Sequence, residues 1–207
     1  MSSKLLEFYA AVSMNEYDAI VIVETWLNSS HLDAEVAPTG WSIFRKDRFG
    51  RGGGVMILCK DHFRPTLVPV DCRGTEQVWV KANLPGNNVY IGAAYVPPCA
   101  QVEVLSNATN VFADIEKLLH DDEEALLLSD FNQPGITWIR DYEIPNVFRP
   151  VTAASETEVL LVEGLLGQNL YQLNETTNSY GNLMETVFST CYDNIQLTCP
   201  APPLCRR

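Results

Sequence analysis

Two short apolar runs, Ala19–Val23 and Leu126–Leu128, constrain the fold of this chain most, because each leads directly to an acid. The first ends at Glu24 in Glu24-Thr25-Trp26-Leu27, and the second reaches Asp130 in Asp130-Phe131-Asn132. Runs this short and this rich in Val, Ile and Leu read as strands buried on both faces. Open α/β sheets place their chemistry at the carboxyl ends of such strands, so two acids delivered in this way imply one shared site.

The segments between these runs predict the remaining elements. Leu5, Leu6, Phe8, Tyr9 and Val12 fall at helical spacing. Trp41–Phe44 and Val55–Leu58 read as the arms of a hairpin, joined through Arg45–Arg51 and the flexible Gly52-Gly53-Gly54. Gln77–Ala82 and Val89–Val96 repeat the pattern around Leu84-Pro85-Gly86-Asn87. A helical stripe follows (Val104, Val111, Phe112, Ile115, Leu118, Leu119), then the acidic Asp121–Glu124, which reads as a solvated connection. After Asn132 the chain reads as a Pro-containing loop to about Pro150, and Ser155 with Glu158 forms a capping box for a helix through Leu166. Short strands are predicted near Leu170–Leu173, Met184–Ser189 and Ile195–Leu197, and Cys199-Pro200-Ala201-Pro202-Pro203 cannot continue one. The expectation is one domain over residues 1–199 with a frayed tail at 200–207. Hairpins mixed with βα units predict a layered α/β sandwich: two mixed sheets packed face to face, with helices outside.

Composition narrows the setting. There is no apolar stretch near the ~20 residues that a membrane span needs, and Met1-Ser2-Ser3-Lys4 leads into amphipathic sequence without the apolar core of a signal peptide. The expected setting is intracellular, not secreted and not membrane-bound. The sequons at Asn28, Asn107 and Asn174 are then unused matches, and Cys59, Cys72, Cys99, Cys191, Cys199 and Cys205, which lack metal-type or redox-type spacing, are free thiols. The net charge of −12 argues against nucleic-acid binding, which draws on Lys and Arg, but it is unevenly spread: −1 over residues 1–81 and −11 over 82–207. Within the first part Arg45, Lys46, Arg48 and Arg51 cluster, either as a solvated loop beside a strand or as a local basic ridge.

Taken singly, the candidate residues have ordinary explanations. A strand-end carboxylate such as Glu24 is usually solvated, Asp130 and Asn132 before Pro134-Gly135 suit a tight turn, and Tyr95 fits a half-buried strand aromatic. Taken together, four segments carry a resemblance. In order they are Glu24-Thr25-Trp26-Leu27; Gly40–Arg48 with Arg51-Gly52-Gly53-Gly54-Val55; Gly92-Ala93-Ala94-Tyr95-Val96-Pro97-Pro98; and Ser129-Asp130-Phe131-Asn132-Gln133-Pro134-Gly135-Ile136-Thr137-Trp138. The chain resembles the endonuclease domain of non-LTR retrotransposons over roughly Lys4 to Asp193. That domain belongs to the endonuclease/exonuclease/phosphatase superfamily and has the DNase I-like fold.

The resemblance implies Mg²⁺-dependent nicking of DNA, with Mn²⁺ as an alternative ion. It makes Glu24 the metal-binding glutamate, a ligand suited to a hard cation. Asp130 would orient or deprotonate the attacking water, the Asn132 amide would donate to phosphate, and the Tyr95 hydroxyl would reach the phosphate. Trp138 is expected to be structural. Arg45, Lys46, Arg48 and Arg51 would contact the DNA backbone. DNA and further domains of a retroelement polyprotein are the implied partners, and the nucleus the implied compartment for action on DNA.

The departures are equally specific. Family members begin with a strand carrying an asparagine at the metal site and end with a Ser-Asp-His segment, and neither is present, so the fold is expected to be incomplete at both termini. Glu185 stands where an aspartate usually supports the missing histidine, Ser129 replaces a usual glycine, and His31, His62 and His120 lie in stretches unlike the Ser-Asp-His motif. Weak or absent nicking is therefore expected. The competing readings are a non-catalytic remnant or co-opted interaction module, and a small phosphate-ester hydrolase of the same superfamily.

Overall fold

The computed structural model describes residues 4–14, 16–177, 183, 185–193 and 195–196. Four helices, α1 (Leu5–Met14), α2 (Asp33–Val36), α3 (Val102–Glu116) and α4 (Glu156–Leu166), accompany eleven strands among them. The strands are β1 (Ala19–Val23), β2 (Trp41–Lys46), β3 (Val55–Lys60), β4 (Thr66–Leu67), β5 (Glu76–Leu84), β6 (Asn87–Tyr95), β7 (Glu124–Asp130), β8 (Thr137–Arg140), β9 (Phe148–Thr152), β10 (Tyr171–Gln172) and β11 (Glu185–Ser189).

They form two sheets, ordered β1-β3-β2 and β4-β5-β6-β7-β11-β10-β9-β8. The large sheet is mixed, through its parallel β6–β7 pair, whereas the small one is antiparallel throughout the described residues. Strand alternation generates the layering. On β6, Ile91, Ala93 and Tyr95 meet Val55, Ile57 and Cys59 of β3 in the core between the sheets. Tyr90 and Ala94 turn the other way, into a core shared with Leu105, Phe112 and Ile115 of α3 and Leu161 and Leu165 of α4. A third core packs Met56 and Leu58 of β3 against Phe8 and Val12 of α1. β3 is buried on both faces and accordingly reads Val-Met-Ile-Leu-Cys without a break.

The run at Ala19–Val23 forms a strand, but one only half-buried, because it lies at the edge of the small sheet and not at its centre. The stretch expected to be a loop up to Pro150 instead contains the β8–β9 hairpin. Its residues are mostly exposed and it carries Pro150, so it lacks the apolar run that marks a strand. Ser155 caps α4 as its sequence predicts: its hydroxyl accepts from the Glu158 N–H at 3.2 Å, while the Glu158 carboxylate accepts from the Ser155 N–H at 2.9 Å.

Asp121–Glu124 is only partly a solvated connection. Glu124 opens β7, and the Glu123 side chain is 4% exposed, paired with Lys81 and hydrogen-bonded by Asn88. Burial alone would raise the Glu123 pKa, but donors from Lys81, Asn88 and the His120 N–H bring it down to about 2. Asn174, one of the sequons, is buried and ties the β10 region to β11 through Glu185 and Val187. Cys59, Cys72, Cys99 and Cys191 are free thiols. Cys199, Cys205, Leu197, Met184 and the tail at 200–207 lie outside the described residues, and Ile195 and Gln196 belong to no strand. Among the described residues no helix is long and apolar enough to cross a membrane.

Candidate active site

Backbone register lines up the acids of the large sheet. Glu76 of β5 pairs with Tyr95 of β6, Tyr95 with Asp130 of β7, and Asp130 with Glu185 of β11, forming one row across four strands. Directly paired residues project from the same face, here the face toward the small sheet. Glu24 enters that row from the opposite layer, just past the end of β1, with a φ of 54°. The Tyr95 hydroxyl donates to Glu24 Oε1 at 2.7 Å and so joins the two sheets at their shared end. Asn132, also at positive φ (50°), donates its N–H to Asp130 Oδ1 at 3.2 Å. Its side-chain amide donates to the Val96 carbonyl at 3.0 Å and also faces the Asp130 carboxylate.

The Glu24 loop is held by the glycine triplet. The N–H groups of Thr25 and Trp26 donate to the carbonyls of Gly54 (3.1 Å) and Gly53 (2.9 Å). Both glycines have positive φ, and a Cβ on Gly54 would lie 2.6 Å from Thr25 Oγ1, so only glycine lets the loop approach this closely. Glu76 in turn fixes the triplet. Its Oε2 accepts from the Gly54 N–H at 2.6 Å, and its Oε1 accepts from Arg48 Nε at 2.6 Å and from Arg48 Nη2. The Arg48 guanidinium lies over the Tyr95 ring, 5.4 Å from its centroid. Glu76 thus supports Glu24 from one side and Tyr95 from the other. Its sequence offered no signal for this, being a lone acid ahead of an apolar strand.

The electrostatics follow from crowding. Burial pushes the Asp130 carboxyl up to about 6; the Asn132 N–H opposes this, and the facing carboxylates of Glu24 and Glu185 add to it. Burial, then the bond to Glu24, holds the Tyr95 hydroxyl firmly protonated. Three carboxylates facing one another leave room for a cation, and an all-oxygen donor set suits a hard one. Among the described residues no three His, Cys, Asp or Glu side chains form a ready metal cage. Mg²⁺, which keeps several waters and uses one or two carboxylates, does not require one.

The basic cluster does not form a ridge. Arg45 is 16% exposed and spent on Asp33 (3.0 Å) and the His31 carbonyl (2.7 Å), Lys46 on the Cys72 carbonyl, and Arg48 on Glu76. Burial lowers the Lys46 pKa. Acceptors distant in sequence engage these three side chains, leaving Arg51 exposed, its guanidinium 5.9 Å from the centroid of the Trp26 ring. Trp138 packs edge-on against Phe188, as a structural residue would. None of the three histidines reaches the acids: His31 Nδ1 accepts from the Asn28 N–H, His62 packs on Phe63, and His120 follows α3.

No protein-family model matches the chain, and no curated protein matches it in sequence. Solved structures are similar in shape. The endonuclease domain of TRAS1, a telomere-specific non-LTR retrotransposon, superposes with a TM-score of 0.56 at 13% identity, over 89% of this chain and 78% of that one. The 3'-5' exonuclease NExo from Neisseria meningitidis gives 0.58 at 14%, over 91% and 82%. An endonuclease/exonuclease/phosphatase family protein from Leptotrichia buccalis gives 0.53 at 15%, over 92% and 81%. Identities this low speak to architecture alone, and by architecture this chain has the DNase I-like fold of the endonuclease/exonuclease/phosphatase proteins.

Proposed function

We propose that this chain is a metal-dependent phosphodiesterase of the retroelement-endonuclease kind, which nicks DNA by hydrolysis. The observation that carries the reading is the meeting of Glu24 from one sheet with Tyr95, Asp130 and Glu185 from the other, with Asn132 beside them. The similarity of shape to the TRAS1 endonuclease domain and to NExo supports it.

Glu24 is the residue that would hold Mg²⁺, or Mn²⁺ in its place. When bound, the ion neutralises charge on the phosphoryl oxygens and steadies the leaving oxygen. Asp130, with a pKa near 6, is ionised at neutral pH yet basic enough to take a proton from an attacking water. Glu185 helps keep it so by facing it with negative charge. Tyr95 retains its proton and spends it on Glu24, so it would orient the carboxylate that holds the ion and not donate to the phosphate. Asn132, whose side-chain amide faces Asp130, holds that carboxylate in place without adding charge.

The second reading is a fold that has kept its frame and lost its chemistry, as loss of one essential group among several would produce. Supercoiled-plasmid nicking in Mg²⁺ separates the two. The first reading expects slow nicking that disappears in both Glu24→Ala and Asp130→Ala. Nicking that persists unchanged in these variants, or no Mg²⁺-dependent nicking by the parent chain, overturns it.

A further inference from the structure

Two aromatic side chains, on the loops that follow β1 and β2, are exposed. Phe49, in the loop between β2 and β3, is fully exposed and is followed by Gly50 at a φ of 110°. Trp26, two residues after Glu24, is 45% exposed although its neighbours Thr25 and Leu27 are buried. Its placement is not looseness. The two backbone bonds to Gly53 and Gly54 pin the segment, its φ is 55°, and its ring lies next to Gly52. Exposed Arg51 covers that ring in part, and Phe49 stands two residues before Arg51 in the same loop.

A Trp ring left 45% exposed while its backbone is pinned keeps part of its face open to a ligand. Flat rings interleaved with a guanidinium match the faces of unstacked bases, which stack on aromatic rings regardless of sequence. An intact duplex keeps those faces covered. We propose that Trp26 and Phe49, assisted by Arg51, form a stacking platform for unpaired bases of the DNA strand whose phosphodiester lies at Glu24 and Asp130. This rests on the functional reading above and specifies its substrate class: DNA that is single-stranded, flapped or locally melted.

The test is fluorescence anisotropy with a short fluorescein-labelled oligothymidylate and a matched duplex, both in EDTA at one ionic strength. Trp26→Ala and Phe49→Ala should each weaken single-strand binding by about five- to one-hundred-fold and leave duplex binding nearly unchanged. Trp26→Phe, which keeps a ring, should retain most of the affinity. In the unlabelled protein, single strand should quench a tryptophan signal that is absent from Trp26→Phe. Equal single-strand affinity in parent, Trp26→Ala and Phe49→Ala overturns the platform, as does tighter binding of duplex than of single strand. Failure of the parent to bind either oligonucleotide overturns both the platform and DNA as substrate. Ring-dependent binding without Mg²⁺-dependent nicking upholds the platform and overturns only the catalytic reading.

Discussion

Replacing Asp130 by Asn should stabilise the metal-free protein at neutral pH. The carboxyl rises from 3.8 to about 6 on folding, first through burial and then through the charges of Glu24 and Glu185. A carboxyl whose folded pKa exceeds its unfolded value binds its proton more tightly in the native state. Relative to a neutral side chain it therefore costs nothing below about pH 4, costs more as pH rises toward about 6, and above that carries the full penalty. Two units correspond to about 3 kcal/mol, and because the group is only half-buried, solvent screening brings the expected figure to about 1–2 kcal/mol. Asn can still accept the Asn132 N–H, so the turn is preserved. Urea unfolding in EDTA should show Asp130→Asn more stable than the parent near pH 7.5, by roughly that amount, with the gap closing near pH 4. Mg²⁺ should stabilise the parent more than the variant. A variant no more stable than the parent at neutral pH would refute the idea that these carboxylates press on one another.

Two further changes probe the frame. Glu76→Ala removes the acceptor of Arg48 and of the Gly54 N–H, and leaves a cation 28% exposed without its partner. A loss of about 2–3 kcal/mol in urea unfolding is expected, together with weaker nicking, and an unchanged midpoint would contradict the support assigned to Glu76. Gly92→Ala places a Cβ 2.6 Å from the buried Trp79 ring, so about 1–3 kcal/mol should be lost, visible as a lower Tm.

Glu24 and Asp130 were legible because each closes an apolar run, and Tyr95 through the resemblance that its segment carries. The capping box at Ser155 was legible because both partners lie within one turn. Partners distant in sequence were not: nothing near Arg48 announces Glu76, and nothing near Arg45 announces that Asp33 and the His31 carbonyl will claim it. A sequence displays charge but not which charges are already spent. The β8–β9 hairpin escaped notice for the opposite reason, since strands that bury little leave no apolar trace.

The bond from Tyr95 to Glu24 crosses between sheets whose own hydrogen-bond ladders never meet. The alignment of the acids therefore depends on side chains interlocking between the layers, since among the described residues no ladder hydrogen bond joins the two. A small slip of one layer over the other would spoil the geometry while every ladder stayed intact. Warming should accordingly disarm the chain before it melts it, with activity fading at temperatures where the circular dichroism of the strands is still unchanged.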